Sequence, residues 1–155
     1  MKVFIDVLVL LLLGSSTLYA ESVKVVYDLT SGEPAKIKKH LINSVNEAAR
    51  YYKSQNKEFK AIVVISGHAY KFFIEDLKDS PYVDELEIEV EQPKLKPLLT
   101  RLHKEHNVVF DMCETGMVSR NIKKKTLYKF VNAEKMKSVY LIDAQNRGYA
   151  YMPIH

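Results

Sequence analysis

Cys113 is the only cysteine in the 155-residue chain, and it follows a short apolar run. That run, Val108-Val109-Phe110, contains the β-branched and aromatic residues typical of a strand buried in a sheet. The sequence turns helical after the cysteine, so Cys113 is predicted to lie where a strand ends and a helix begins. Free backbone N–H groups at a helix N-terminus favour a thiolate over a thiol, which makes Cys113 a candidate nucleophile. The neighbouring carboxylate of Glu114 opposes this effect.

Two other interpretations of Cys113 remain open at this point. Most single cysteines are small buried hydrophobic residues with no chemical role. A soft-metal or redox-sensing thiol is the other alternative, because Met112 and Met117 are soft ligands close to Cys113 in sequence. Alternation along a strand sends Met112 and Cys113 to opposite faces of the sheet, so Met112 is predicted to pack in the core. We therefore expect no metal site and no bound cofactor.

Other recognisable chemistries are absent from the sequence. No Gly-x-Gly-x-x-Gly or Gly-Lys-Ser/Thr run is present, which excludes the dinucleotide and phosphate-loop fingerprints. The five histidines form no His-Glu-x-x-His arrangement, and His103 and His106 are better explained as a solvated helix end. One cysteine excludes an internal disulfide. The net charge of +4 is spread over many lysines, so we expect no nucleic-acid partner.

Three further residues are candidates for supporting the thiol of Cys113. His68 follows a second apolar strand, predicted over residues 59–65, and reaches the same edge of the sheet as Cys113 if the two strands are parallel. The alternative for His68 is a loop histidine that makes a local hydrogen bond. Thr115 begins the helix after the cysteine and Arg120 follows it, and both are candidates for stabilising a sulfur anion.

The first twenty residues have the features of a secretory signal peptide. A lysine follows Met1, an unbroken apolar run covers residues 7–13, and a tail of mostly small residues ends at Ala20. The run is short for a membrane-spanning helix, so we expect cleavage, a mature chain that begins near Glu21, and no stable membrane insertion afterwards. This predicts a periplasmic protein. An uncleaved N-terminal anchor is the alternative.

From residue 21 onwards, predicted strands and helices alternate along the chain. Strands are expected over residues 23–29, 59–65, 108–113 and 137–143, and residues 144–154 are expected to form a turn followed by a last extended segment. Helices are expected over residues 34–54, 70–77 and 93–105, with helical turns over 118–124 and 126–130, whereas the acidic segment 82–90 gives no clear prediction. This alternation predicts a single α/β domain over residues 21–155, with three layers and a mostly parallel sheet.

Several of these segments resemble the DsrE/DsrF-like proteins. The resemblance rests on the strand that runs from Asn107 to Cys113, the helix after it, the strand to Asp143, and the closing Gln145-Asn-Arg-Gly148-Tyr149-Ala150-Tyr151. It implies a three-layer α/β/α sandwich with a five-stranded parallel sheet, and assembly into homo-oligomers, either trimers or hexamers. In the sulfur-relay members the equivalent cysteine accepts sulfane sulfur as a persulfide and hands it on, a role that falls on Cys113 here.

The leading hypothesis is a periplasmic sulfur carrier, sulfurtransferase-like if it turns over. A thiolate attacks sulfane sulfur directly and needs no metal. Its partners would be a sulfur donor or acceptor, either a protein or a small sulfur compound. The alternative function is a non-catalytic oligomeric binding or assembly subunit with an inert cysteine. Two features depart from the family pattern: the best-understood carriers are cytoplasmic, and Glu114 stands where a small residue is common.

Overall fold

Five parallel strands form the centre of the protein. The computed structural model describes residues 21–155, and the predicted signal peptide over residues 1–20 lies outside them. The strands are β1 (Ser22–Leu29), β2 (Glu58–Ile65), β3 (Val109–Cys113), β4 (Val131–Lys135) and β5 (Ala150–Ile154). They pair in the order β4-β3-β2-β1-β5, and all four pairings are parallel.

A long helix connects β1 to β2. It consists of three consecutive segments: α1 (Pro34–Lys36), a π-helical stretch (Ile37–Asn43) and α2 (Ser44–Ser54). Pro34 stands at the first helical position, where a missing N–H is harmless. Ile37, Leu41 and Val45 are fully buried against the sheet. The predicted helix over residues 34–54 is therefore confirmed.

The next helix begins earlier than the sequence predicted. Helix α3 (Leu86–His106) contains both Pro93 and Pro97, whereas the prediction started it at Pro93. The added N-terminal turns are held by tertiary packing, because Ile88 is fully buried and the Gln92 amide donates to the Ile74 carbonyl. Both prolines are exposed, so their rings face solvent.

The helical segments predicted over residues 70–77, 118–124 and 126–130 are shorter in the structure. Residues 70–77 contain parts of two 3-10 helices, Ala69–Phe73 and Leu77–Asp79, rather than one short helix. After β3, helix α4 (Glu114–Ser119) begins directly at the cysteine, and a 3-10 turn (Lys124–Thr126) follows. Ile74 and Leu127 form an isolated antiparallel bridge between these two regions, which interrupts both helical runs.

The prediction of a strand over residues 137–143 is wrong. This segment is helix α5 (Lys137–Asn146), and the strand lies just before it, as β4. Val131 pairs with Phe110, so β4 already occupies the place beside β3. The chain must then cross the sheet to add β5 beside β1 in a parallel direction, and such a crossover needs a helix.

The two faces of the sheet are covered unequally. One face packs against the π-helical stretch, α2 and α3 in a large core that includes Tyr27, Val63 and Phe110. The other face packs Val26, Ile62 and Val64 against Ala144 of α5. The predicted three-layer α/β/α sandwich with a five-stranded parallel sheet is thus confirmed. Within residues 21–155, no helix is both long enough and apolar enough to cross a membrane.

Candidate active site

Cys113 is the last residue of β3 and directly precedes α4, as the sequence predicted. Its backbone is still extended, with φ −62° and ψ 110°, so the chain turns into the helix immediately after it. The residue is only 9% exposed. The carboxyl edge of a parallel sheet is the usual place for ligands and chemistry in open α/β folds, and Cys113 lies at that edge.

Hydrogen-bond donors from four residues affect the ionisation of the Cys113 thiol. Burial alone raises the pKa of the thiol, but the backbone N–H groups of Gly116, Lys137 and Thr115 and the hydroxyl of Tyr70 lower it. The net result is a pKa below the ordinary value for cysteine. These donors all favour the thiolate, because a hydrogen bond to sulfur is stronger when the sulfur is charged. The lowered pKa has the direction predicted from the sequence, and burial is the largest effect that opposes it.

The backbone N–H of Lys137 is one of the groups that lower the pKa of the Cys113 thiol, and an ion pair anchors the Lys137 side chain. Its Nζ lies 2.9 Å from Oδ2 of Asp28. The Tyr151 hydroxyl donates to the same oxygen at 2.9 Å. Asp28 is 2% exposed, and its Oδ1 has no hydrogen-bond partner among the described residues. The start of α5 is thereby fixed to β1 and β5, which holds the Lys137 N–H beside Cys113.

Tyr70 approaches the turn after Cys113 from the opposite layer. Its hydroxyl donates to the Cys113 carbonyl at 3.0 Å. A Cβ at position 116 would lie 2.0 Å from that hydroxyl oxygen, so only glycine leaves room for it. The Arg120 guanidinium lies 4.9 Å from the centroid of the Tyr70 ring and donates to the Gly116 carbonyl at 3.2 Å. The tyrosine is therefore held between the α4 turn and an arginine.

The three predicted supporting residues have different outcomes. Thr115 contributes its backbone N–H, and the residue itself is exposed. Arg120 reaches the site indirectly, through Tyr70 and Gly116. His68 is exposed and lines a cleft of about 290 Å³ together with Arg120, but it is not among the main groups that lower the pKa of the Cys113 thiol. Its backbone N–H donates to the Thr30 carbonyl at 2.9 Å.

Sequence reasoning missed the contributions of Tyr70, Gly116 and Lys137. Tyr70 lies 43 positions from Cys113, and nothing in the apolar pattern around it indicates a contact. Lys137 was missed because its segment was predicted to be a strand. Gly116 was the detectable signal, because a glycine just after the start of a helix often marks a close approach of another group.

No metal centre accompanies the cysteine in the part of the chain that the structure describes. No cluster of three or more histidine, cysteine or acidic side chains in residues 21–155 is placed to hold an ion. Met112 is fully buried and Met117 is 5% exposed, and both pack in the large core. The prediction that Met112 is a core residue is confirmed.

Comparison with known proteins agrees with this architecture. The sequence profile of the DsrE/DsrF-like family matches residues 24–154. The protein belongs to the DsrE/DsrF-like family. This assignment confirms the resemblance noted in the sequence and associates the chain with a fold of the sulfur-relay type. An uncharacterized protein of Aquifex aeolicus (strain VF5) is a relative, 29% identical over 136 residues that make up 88% of this chain. The aligned region spans only 58% of that relative's length.

Two solved structures share the fold of this DsrE/DsrF-like protein. MTH1491 from Methanobacterium thermoautotrophicum, a protein of unknown function, superimposes with a TM-score of 0.62 at 16% identity, over 84% of this chain and 98% of its own. The ychN protein from E. coli gives a TM-score of 0.50 at 16% identity, with the same coverage of both chains. At this level of identity, the likeness supports the fold alone.

Proposed function

We propose that this protein is a sulfur carrier that binds sulfane sulfur as a persulfide on Cys113 and passes it to a partner. The observation that carries the proposal is the position of Cys113 at the end of β3 and directly before α4, where hydrogen bonding lowers the pKa of its thiol. A thiolate is the nucleophilic form of cysteine. Membership of the DsrE/DsrF-like family supports the same role.

The loading step is a displacement at sulfur. The Cys113 thiolate donates an electron pair to the terminal sulfur of an inorganic polysulfide, and a new S–S bond forms. The bond between that sulfur and the rest of the polysulfide breaks, and the shortened polysulfide leaves with the bonding electrons. Charge and atoms balance without an added oxidant. Transfer to an acceptor thiolate repeats the same displacement and regenerates Cys113.

Intact-mass spectrometry of the mature protein after exposure to polysulfide tests the proposal. Wild type is expected to gain about 32 Da per bound sulfur atom, and Cys113→Ser is expected to gain nothing. Serine is nearly isosteric, so circular dichroism should show an unchanged fold. A wild-type protein that takes up no sulfur, and resists alkylation until it is denatured, would refute the carrier function.

One observation favours a second candidate function. Cys113 is 9% exposed, so the residue has little surface open to a large donor. If the thiol is inert, the protein is a non-catalytic oligomeric binding or assembly subunit of the same fold. The alkylation experiment separates the two functions, because an inert thiol reacts only after unfolding.

We also propose that the protein is a homo-oligomer, a trimer or a hexamer. Exposed apolar side chains occur in α5 (Val139 and Ile142), at Met136 directly before it, and at Tyr151 of β5. Tyr149 is half-buried against the core that Val26, Ile62 and Val64 form with α5, so Tyr151 is the better candidate for intersubunit contact. Light scattering is expected to give a mass of at least three protomers for wild type and a smaller mass for Ile142→Lys. A monomeric wild type at micromolar concentration would refute the assembly.

Export to the periplasm completes the proposal. Cleavage after Ala20 would leave Glu21 as the first residue, directly before β1. N-terminal sequencing of the protein from a periplasmic extract is expected to begin near Glu21. Recovery of Met1 from the membrane fraction would favour an uncleaved anchor instead.

A further inference from the structure

We propose that Tyr70 is a second catalytic residue, whose hydroxyl turns its hydrogen bond from the Cys113 carbonyl to the Cys113 sulfur when that sulfur is ionised. The proposal rests on the proposed function, since it assigns a second group to the same nucleophilic site. The effect of the Tyr70 hydroxyl on the pKa of the free Cys113 thiol can be measured whether or not sulfur is transferred.

The position of the Tyr70 hydroxyl is fixed on several sides. The residue is 1% exposed and packs in the large core. Its oxygen sits against the α carbon of Gly116, in space that any other side chain at that position would fill. Arg120 covers the ring, with its guanidinium 4.9 Å from the ring centroid. Rotation about the C–O bond is therefore the free movement left to this group.

A phenol has one hydrogen, so Tyr70 can donate to only one strong acceptor at a time. When Cys113 is a thiol, the carbonyl at 3.0 Å is the better acceptor. When Cys113 is a thiolate, the charged sulfur is the better acceptor, because hydrogen bonds to ionised groups are roughly twice as strong as neutral ones. Ionisation of the cysteine thus redirects the hydrogen without moving the ring.

Tyr70 remains a donor throughout the reaction. Burial, together with its contacts to Cys113, raises the pKa of the phenol well above its ordinary value. The hydroxyl therefore keeps its proton over the whole range in which the thiol titrates. It donates a hydrogen bond to the attacking thiolate and transfers no proton, so the displacement at sulfur balances as written above.

The test is the pH dependence of the reaction of Cys113 with dithiodipyridine, a neutral disulfide, in wild type and Tyr70→Phe. Loss of one charge-assisted hydrogen bond is expected to raise the apparent pKa of Cys113 by about one unit. A more basic thiolate is also a stronger nucleophile, by about threefold per pKa unit. Tyr70→Phe should therefore react about threefold more slowly at low pH and about threefold faster at high pH.

The crossing of the two pH profiles is the decisive result. A variant that merely loosens the packing would expose the thiol and react faster at every pH. Superimposable profiles, or a uniform increase, would overturn the proposal. Tyr128→Phe is the matched control, because Tyr128 is also 1% exposed and its buried hydroxyl has no hydrogen-bond partner among the described residues. Its profile is expected to match wild type.

A second variant guards against misfolding of Tyr70→Phe. Replacement of Tyr70 by 3-fluorotyrosine keeps the shape and the hydroxyl but makes a stronger donor, so the pKa of Cys113 should fall rather than rise. An unchanged pKa in this variant would also overturn the proposal. If wild type takes no sulfur from polysulfide while these shifts occur, the carrier function fails and the role of Tyr70 stands.

Discussion

Replacing Gly116 by alanine tests the packing of the site, because two physical effects predict opposite signs. Alanine in place of glycine inside a helix normally stabilises a protein by about 1 kcal/mol. Gly116 lies inside α4, so the helix alone predicts a more stable variant. The structure predicts the reverse, because the added Cβ would lie 2.0 Å from the Tyr70 hydroxyl oxygen and 2.9 Å from Cζ of that ring.

The size of the effect follows from those distances. Ordinary contact begins at 3.4 Å, so the Tyr70 ring or the α4 turn must move. Overpacking of this kind costs about 1–3 kcal/mol. Loss of the hydrogen bond from Tyr70 to the Cys113 carbonyl costs about 1 kcal/mol more. Against the gain in helix propensity, we expect Gly116→Ala to lower the free energy of unfolding by about 1–3 kcal/mol.

Urea denaturation measures this change as a lower midpoint with an unchanged slope. Tyr70→Phe removes the closest clash, so the double variant should lose less stability than the sum of the losses in the two single variants.

Gly148→Ala is the contrasting substitution, because nothing lies within 4 Å of its Cβ and the cost there comes from a φ of +82°. It should leave the reactivity of Cys113 unchanged. A Gly116→Ala protein as stable as wild type would refute the packing of Tyr70 against α4.

Further predictions concern the charged side chains near Cys113. Asp28→Asn removes the ion pair that anchors Lys137, so we expect the free energy of unfolding in urea to fall by about 1–3 kcal/mol. The expected loss is smaller than for a fully buried ion pair, because the Lys137 side chain is 33% exposed. The same variant should raise the pKa of Cys113 in pH–rate profiles, because the Lys137 N–H is no longer held beside Cys113. Tyr151→Phe should lower stability and leave that pKa unchanged. Equal pH–rate profiles in Asp28→Asn and wild type would contradict the role of the Asp28–Lys137 ion pair. Arg120→Gln should slow loading from anionic polysulfide several-fold in mass-spectrometric time courses, with little effect on a neutral disulfide. This difference should shrink in high salt, and its persistence there would exclude an electrostatic role.

The pH dependence of thiol reactivity follows from the lowered pKa of Cys113. A cysteine whose folded-state pKa lies below its unfolded value stays ionised to lower pH in the native protein. Native protein should therefore keep reacting with a neutral disulfide at pH values where an unfolded chain has become unreactive. The same thiolate stabilises the fold above the unfolded pKa, and this contribution is lost as the pH falls through the folded pKa.

Local sequence patterns predicted much of the scaffold. The apolar runs that form β1, β2 and β3 and the three-and-four spacing of the helix between β1 and β2 predicted those elements with nearly correct bounds. The position of Cys113 at the end of a strand followed from the same pattern. These features are readable because a strand buried on both faces, or a helix with one buried face, requires a particular order of apolar residues.

The identity of α5 was decided by the tertiary structure. Its run of apolar residues reads as a buried strand, yet Val139 is 36% exposed and Ile142 is 55% exposed on the outside of a helix. The place beside β3 was already taken by β4, and a parallel β5 needed a crossover. No local pattern records which strand occupies which place in a sheet.

The surroundings of the cysteine were decided in the same way. Tyr70 and Lys137 reach Cys113 from segments far away in sequence, one from the connection after β2 and the other from the start of α5. The sequence by itself determined that a thiol ends a buried strand at the carboxyl edge of a parallel sheet. The packing of two layers against that edge decided which donors contact its sulfur, because such contacts depend on the crossing of distant elements and leave no periodic signal in the chain.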